Sequence, residues 1–218
     1  MPKTMYPPPT PFPTAADLNR KFGAIPMHRL RLDRYPADES DVEELHGIEH
    51  RLYELVDGYL VEKDVASQES VIALAIGGYL RQFVKPQKLG FVLGEQGMLR
   101  LRPGLIRIPD VSFVHRDQFP DKKFPDVAVL ERYPDLAIEV LSPSNTDEEM
   151  DGKLEDYFGN GTRLVWIIDL PTKSVQVLES ADRSRARTLS IKDMLDGGMV
   201  LPGFQLSVAN LFDEFDLN

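Results

Sequence analysis

The 218-residue sequence contains no cysteine, so disulfide bridges, thiolate metal sites and cysteine nucleophiles are excluded. It also has no excess of positive charge, because 25 Lys and Arg residues stand against 35 Asp and Glu residues, for a formal net charge of −10. This balance gives no broad electrostatic attraction for nucleic acid, although a local basic strip is compatible with a negative total. The composition therefore argues mildly against tight nonspecific DNA binding.

Long apolar runs are also missing from the sequence. No stretch approaches the length needed to span a bilayer, and the N-terminus lacks the basic-then-apolar order of a signal peptide. We therefore expect a cytoplasmic protein with no membrane partner. A Gly-x-Ser-x-Gly nucleophile elbow, a phosphate-cradling loop and a dinucleotide-binding fingerprint are absent as well, which leaves the corresponding chemistries without support.

Prolines are concentrated in residues 1–25, where large aliphatic side chains are few. Such a segment favours extended polyproline-like conformations and does not pack a core alone. We predict that residues 1–25 are a proline-rich N-terminal arm, either a loose tail or a segment that lies over a neighbouring subunit. Residues 26–218 are predicted to form one domain, because this length is ample for a single hydrophobic core.

Apolar periodicity predicts a hairpin followed by a long helix. Asp57-Gly58 lies between two alternating runs, which is a good hairpin signal. Helical spacing then predicts a helix from Ser67 to Lys85, which Pro86 stops. Gly90–Leu101 is predicted to be one interrupted strand or two short strands.

The second half of the sequence predicts a loop, a capped helix and more strands. The polar segment 117–132 is predicted to be a surface loop, whose lysines are candidates for contact with a substrate phosphate. Thr146 fits the N-cap of a helix that ends at Gly159. The apolar run 164–169 and the alternating run 174–178 predict two paired strands, and the C-terminal part predicts turns and short ordered segments.

Two further apolar runs of strand length, 107–114 and 136–143, each carry an acidic residue, Asp110 and Glu139. Continuous apolar runs fit strands that are covered on both faces. A carboxylate placed there loses hydration, at a cost that partners or a metal must offset. A shared divalent cation explains both placements, since Mg²⁺ takes one or two carboxylates together with waters and substrate oxygens.

Two residues outside these strands are candidates for the same site. Lys153 lies at the border of the apolar stripe of the second helix, where it is available to stabilise developing charge; the alternative is an ordinary i,i+4 ion pair with Glu149. Glu69 points to the inward face of the first helix as an extra ligand or a holder of water. The competing interpretation of Glu69 is a helix-start carboxylate favoured by the helix dipole.

Together, Ile108-Pro109-Asp110-Val111, the run from Asp135 to Thr146 and Lys153-x-x-x-Tyr157 resemble the Uma-type restriction-endonuclease family, a branch of the PD-(D/E)XK nuclease superfamily. The resemblance extends over roughly residues 50–212. It implies an α/β fold in which a mixed sheet is flanked by helices, with a restriction-endonuclease-like core. It also implies a metal-dependent endonuclease acting on DNA, with Mg²⁺ or Mn²⁺ held by Asp110 and Glu139.

One departure from the superfamily pattern concerns the catalytic lysine. The pattern puts a lysine two residues after the second acid, where this chain has Leu141. The resemblance assigns the role to Lys153, so the predicted catalytic residues are Asp110, Glu139, Lys153 and Glu69. A homodimer is expected because cleavage of a duplex needs two sites.

Two other hypotheses remain. The chain is alternatively a catalytically inactive nuclease-like module that acts as a protein-binding or regulatory protein. A purely structural interpretation ranks last, because it leaves Glu139 in an apolar strand unexplained.

Overall fold

The computed structural model describes residues 12–64 and 66–215. Its α-helices are α1 (Ala15–Phe22), α2 (Glu39–Glu49), α3 (Ser67–Gln87), α4 (Asp147–Gly159) and α5 (Val208–Phe212). Its strands are β1 (Tyr53–Val56), β2 (Tyr59–Glu62), β3 (Gly90–Leu93), β4 (Met98–Arg102), β5 (Leu105–Arg107), β6 (Val111–His115), β7 (Val129–Leu130), β8 (Leu136–Val140), β9 (Leu164–Asp169), β10 (Ser174–Leu178), β11 (Arg187–Leu189), β12 (Met194–Gly197) and β13 (Leu201–Ser207). The chain is therefore mixed α/β, as predicted.

The strands form three sheets within the described residues. A five-stranded sheet has the order β2-β1-β5-β4-β7, and a six-stranded sheet has the order β11-β10-β9-β8-β6-β3. Within the six-stranded sheet β8 and β9 run parallel, whereas β6 pairs with β8 antiparallel. The strands β12 and β13 form a separate hairpin. Because β5 belongs to one large sheet and β6 to the other, the short linker between them crosses from sheet to sheet.

The six-stranded sheet is covered by a helix on each face. On β8 and β9 the residues Ile138, Trp166 and Ile168 pack in one cluster with the apolar side of α3. The alternate residues Ala137, Val165 and Ile167 pack with α4 instead, as expected because successive side chains of a strand point to opposite faces. Every second residue of β8 therefore faces α4.

Several predicted elements are confirmed. The hairpin around Asp57-Gly58 is β1 and β2, Thr146 caps α4 by accepting a hydrogen bond from the Glu149 amide, and the predicted paired strands are β9 and β10. The Gly90–Leu101 segment is two short strands. They join different sheets, because β3 pairs with β6 and β4 pairs with β5.

Two local expectations need correction. Pro86 does not stop α3 but lies inside its last turn. The helix ends at Gln87, and the C-cap residue Lys88 adopts a left-handed conformation with φ of 55°. A proline in the last turn removes one hydrogen bond only, so the helix tolerates it there. The C-terminal part is more ordered than expected, with β12, β13 and α5 packed against α3.

Part of the predicted N-terminal arm is folded. Residues 1–11 lie outside the described residues. The rest contains α1, whose Leu18 and Phe22 are buried beside Val56 and Leu105. The folded body therefore includes residues before position 26. In the described part of the chain, no helix combines the length and the apolar character that a bilayer crossing requires.

Candidate active site

The linker between β5 and β6 holds Asp110 at the junction of the two large sheets. The Asp110 amide donates a hydrogen bond to the Ile138 carbonyl at 3.0 Å, and the Val140 amide donates to Asp110 Oδ2 at 2.6 Å. These two bonds tie the Asp110 carboxylate to β8, the strand that carries Glu139. The two predicted carboxylates are thus brought together by the pairing of β6 with β8.

Glu139 is buried between β8 and α4, with 3% of its surface exposed. Its side chain faces α4 because it alternates with Ile138 and Val140, which face α3. Lys153 Nζ donates to Glu139 Oε2 at 2.9 Å, and the Tyr157 hydroxyl donates to Oε1 at 2.5 Å. Lys153 and Tyr157 reach the same carboxylate because residues four apart lie on one face of a helix.

Lys153 also lies near a second buried carboxylate. Its Nζ is 3.6 Å from Oε1 of Glu54 on β1. Glu54 in turn accepts hydrogen bonds from Arg107 at 2.7 Å and from the Ile108 amide at 3.0 Å. The antiparallel pairing of β1 with β5 places these groups together, so the five-stranded sheet supplies one wall of the site.

The predicted alternative for Lys153, an ion pair with Glu149 one turn earlier, is wrong. Glu149 instead forms a bidentate pair with Arg29, at 2.8 and 3.0 Å, and both side chains are buried. Glu149 pairs with Arg29 and not with Lys153 because the planar guanidinium matches both carboxylate oxygens, whereas a lysine offers a point charge. Lys153 is thereby left to Glu139 and Glu54.

The charges of this cluster shift one another's protonation. Burial raises the pKa of Glu139 against the opposing effect of Lys153, and the negative charge of Asp110 raises it further. Burial also favours the neutral form of Glu54, but the charges of Lys153 and Arg107 outweigh it and lower the pKa of Glu54 to about 2. Burial would lower the pKa of Lys153, yet Glu139 and Glu54 raise it above its usual value. Lys153 is therefore protonated at neutral pH.

A second lysine, which the sequence did not suggest, holds Asp110. Lys63 follows β2, and its side chain is 5% exposed. Its Nζ lies 2.8 Å from Asp110 Oδ1 and donates a hydrogen bond to the Ile108 carbonyl at 2.6 Å. Each of the two predicted metal ligands is thus paired with its own lysine.

All four predicted residues line one cavity. Glu69 differs from the other three because it forms no ion pair with the described residues. The cavity is lined by Arg29, Glu54, Lys63, Asp64, Glu69, Ser70, Glu95, Asp110, Glu139, Val140, Ser142, Asn145 and Lys153. Glu69 lies in the first turn of α3, half-buried, and its side chain makes no ion pair with the described residues. Both interpretations of Glu69, the helix-start carboxylate and the site residue, are compatible with this position.

The donor set of this cavity fits a hard divalent cation. Six of the lining residues are acidic and three are basic, so the cavity carries an excess of carboxylates. Asp110 and Glu139 offer the oxygen ligands that Mg²⁺ and Mn²⁺ prefer. Within the described residues no three His, Asp or Glu side chains are close enough to hold an ion by themselves. Two carboxylates completed by water and substrate oxygens match the way Mg²⁺ is usually held.

Sequence reasoning missed Glu54, Lys63 and Arg29 as parts of the cavity. Glu54 carried the same signal as Glu139, a single acid in an apolar strand, and that criterion would have found it. Lys63 and Arg29 had no local signal. Lys63 reaches a residue 47 positions away and Arg29 one 120 positions away, so only the tertiary fold places them.

The chain was compared with known families, curated proteins and solved structures. The family model Uma2, described as "Putative restriction endonuclease", matches residues 42–209. No curated protein matches the chain significantly. A solved structure described as "a putative nuclease belonging to DUF820", from Anabaena variabilis ATCC 29413, matches with a TM-score of 0.65 and 19% identity. That match covers 75% of this chain and 90% of the Anabaena chain.

The chain belongs to the Uma2 family, because the family model covers most of its length. The likeness to the Anabaena structure supports the fold, and the predicted restriction-endonuclease-like α/β core is confirmed. The resemblance drawn from Asp110, the Asp135–Thr146 run and Lys153 is thereby confirmed as well. All of these residues lie inside the matched range.

Proposed function

We propose that this member of the Uma2 family is a metal-dependent endonuclease that hydrolyses phosphodiester bonds of DNA. The observation that carries the proposal is the meeting of Asp110, Glu139 and Lys153 in one cavity. A carboxylate directly before β6, a carboxylate on the neighbouring β8 and a protonated lysine form a donor set suited to phosphodiester hydrolysis. We further propose that the folded residues form a single nuclease-like domain, and that two copies act together on a duplex.

In this proposal Asp110 and Glu139 hold a divalent cation, with Mg²⁺ as the physiological ion and Mn²⁺ as a substitute. When bound, such an ion supplies Lewis-acid polarisation of the phosphate and lowers the pKa of a water molecule. Asp110 is fixed for this task by the Val140 amide. Glu139 is fixed by Lys153 and Tyr157, which leave both of its oxygens with further lone pairs.

Lys153 supplies positive charge beside the reacting phosphate. Its ammonium group lines the cavity and lies between Glu139 and Glu54, so its position is set before substrate arrives. A preorganised cation of this kind stabilises negative charge that develops on the phosphate oxygens. Glu69, on the first turn of α3, is proposed to hold a water molecule or to serve as an additional ligand.

A second candidate function is favoured by a specific feature of the same cavity. Lys63 and Lys153 already compensate Asp110 and Glu139, and Leu141 occupies the position of the superfamily lysine. A nuclease-like scaffold that has lost its chemistry and binds a protein partner has the same features. The two functions differ in whether the carboxylates take up a metal.

Manganese binding distinguishes the two candidates. We expect the wild-type protein to bind Mn²⁺, measured by the loss of the electron paramagnetic resonance signal of the free ion. The double variant Asp110→Asn/Glu139→Gln should bind about tenfold more weakly or worse, a loss of about 1.4 kcal/mol or more. Circular dichroism confirms that the variant is folded.

The matched control removes two carboxylates elsewhere. Asp121→Asn/Glu155→Gln changes exposed residues outside the cavity, and it should bind Mn²⁺ like wild type. If the double variant at the site and this control bind equally, the proposed metal site does not exist and the inactive-scaffold function stands. If Mn²⁺ binding depends on Asp110 and Glu139, metal-dependent cleavage of supercoiled plasmid DNA is the next assay.

A further inference from the structure

A groove leads away from the candidate active site along α3. It lies between α3 and the edge strand β3, and it is lined at its centre by Ala73, Gly77 and Leu93. At one end it shares Glu95 and Asp110 with the active-site cavity. The groove and the cavity are therefore continuous.

The other end of the groove is strongly cationic. Its polar lining residues are all basic, namely Arg81, Lys85, Lys88, Arg116 and Lys122. No carboxylate is among the residues that line this end, although acidic residues outnumber basic ones in the chain. Arg81 belongs to both the central groove and the cationic end, so the two are joined.

Interactions within the chain explain only part of this cluster. Lys85 and Lys88 lie at the C-terminal end of α3, where the helix dipole favours cations. Arg81 precedes Lys85 by one turn, an unfavourable like-charge spacing, and neither forms an ion pair with a described carboxylate. Arg116 and Lys122 come from another segment and share a single acid, Asp117. The groove end thus has an excess of free positive charge.

A pair of helical glycines deepens the centre of the groove. Gly77 and Gly78 lie in the middle of α3, where alanine would favour the helix. A Cβ at Gly78 would meet nothing within 4 Å, and one at Gly77 would make an ordinary contact with Val111 at 3.7 Å. Packing inside the chain therefore does not require either glycine, and their absent side chains leave room in the groove.

We propose that this groove holds a DNA strand, with its phosphates on the cationic end and the phosphate to be cleaved at Asp110. The proposal rests on the proposed nuclease function, which it deepens by naming the surface that receives the substrate. Charge complementarity selects the occupant, because a phosphodiester backbone carries one negative charge per nucleotide. It also explains how a chain of net charge −10 would bind DNA, since the attraction is local.

The test is DNA binding without cleavage. Fluorescence anisotropy is measured in EDTA with a fluorescein-labelled 20-residue single strand and a 20-base-pair duplex of mixed sequence. We expect Arg81→Glu/Lys85→Glu to weaken binding about tenfold or more at about 0.1 M KCl, and to lower the slope of log Kd against log salt by about 1 to 2. The form of DNA that shows the larger loss is the form that the groove receives.

The control carries the same change of charge at the opposite edge of the sheet. Arg185→Glu/Lys192→Glu alters one exposed arginine and one exposed lysine that flank β11, whereas the groove lies at β3. This variant should bind DNA within about twofold of wild type, because screening limits charge effects beyond about 10 Å. Equal losses in the two double variants would mean that only net charge matters, and they would overturn the proposal.

Gly78→Ala provides a second test that does not change charge. Beyond the backbone of its own helix, the added methyl group meets no atom within 4 Å. The variant should therefore fold and melt at or above the wild-type temperature, yet bind DNA more weakly. If both Gly78→Ala and Arg81→Glu/Lys85→Glu bind the single strand and the duplex with wild-type affinity, the proposal is overturned. It is also overturned if the wild-type protein binds neither DNA.

The proposed groove and the proposed metal site can be tested independently of each other. The groove variants should keep wild-type Mn²⁺ binding, because Arg81, Lys85 and Gly78 do not line the active-site cavity. Mn²⁺ binding without groove-dependent DNA binding would overturn the groove and leave the metal site. Groove-dependent DNA binding without Mn²⁺ binding would leave the groove and remove the nuclease function.

Discussion

Replacement of Lys63 by methionine should make the metal site stronger. The Lys63 ammonium group lies 2.8 Å from Asp110 Oδ1, so a cation already occupies one side of the proposed ligand. A divalent ion that binds Asp110 must displace this ammonium group or bind beside it. Lys63→Met keeps a long, unbranched side chain but removes the competing charge.

The magnitude follows from the interaction that the metal must overcome. Two unit charges 2.8 Å apart interact by about 6 kcal/mol at an effective dielectric constant of about 20. Lys63 recovers hydration when it moves away, so about 1.4 to 2.7 kcal/mol of this competition is expected to remain. That corresponds to Mn²⁺ affinity about 10- to 100-fold higher in Lys63→Met than in wild type.

The assay is a Mn²⁺ titration followed by electron paramagnetic resonance, with thermal melts in parallel. Without metal, Lys63→Met should melt about 3–10 °C below wild type, because Asp110 loses one of its two partners. Saturating Mn²⁺ should restore more stability in the variant than in wild type. The control Lys192→Met, which removes an exposed lysine outside the cavity, should leave both properties unchanged.

The additional affinity must come from the proposed site. The double variant Lys63→Met/Asp110→Asn should therefore lose it. Folded Lys63→Met that binds Mn²⁺ no more tightly than wild type would refute the reasoning, because Lys63 would then not compete with a metal at Asp110.

The buried ion pairs around the cavity give further predictions for stability. Glu54→Gln leaves Lys153 and Arg107 without their shared charge and should lower Tm by about 6–15 °C, and a Tm close to that of wild type would contradict this. Folding lowers the pKa of Glu54 from 4.5 to about 2. The stability that the ionised Glu54 contributes is therefore complete above pH 4.5 and is lost as the pH falls towards 2. Over that range the difference in Tm between wild type and Glu54→Gln should narrow. Arg29→Met leaves the buried charge of Glu149 without a partner and should lower the free energy of unfolding by about 3–5 kcal/mol. The double variant Arg29→Met/Glu149→Met should recover most of this loss. A denaturant titration in which the double variant is no more stable than the single would exclude the pair as the cause.

Local sequence patterns predicted the parts of the fold that short-range physics determines. The hairpin at Asp57-Gly58, the cap at Thr146 and the paired β9 and β10 each follow from a few neighbouring residues. The same patterns misplaced the end of α3, because Pro86 occupies a turn where its missing amide costs little. They also gave no sheet assignment for β3 and β4, which depends on strands that come later in the chain.

In the candidate site, too, some residues could be predicted from local sequence patterns and others could not. Asp110 and Glu139 were predicted from the cost of a carboxylate in an apolar strand, and the structure brings them together through the pairing of β6 and β8. Their partners were harder to find. Lys63 reaches Asp110 only because the linker after β5 crosses between sheets. No spacing rule within the sequence connects residues so far apart.

The two lysines of the cavity differ in how firmly they are held, and this difference bears on the choice between nuclease and inactive scaffold. Lys153 lies between Glu139 and Glu54, so displacing it would remove a cationic partner from two buried carboxylates at once. Lys63 has one carboxylate and one backbone carbonyl as partners, and it follows a strand end instead of lying within a helix. A metal that enters this cavity should therefore displace Lys63 and leave Lys153 in place. In an inactive scaffold no metal enters the cavity to displace Lys63. Lys63→Met would then lower the melting temperature without raising the affinity for Mn²⁺.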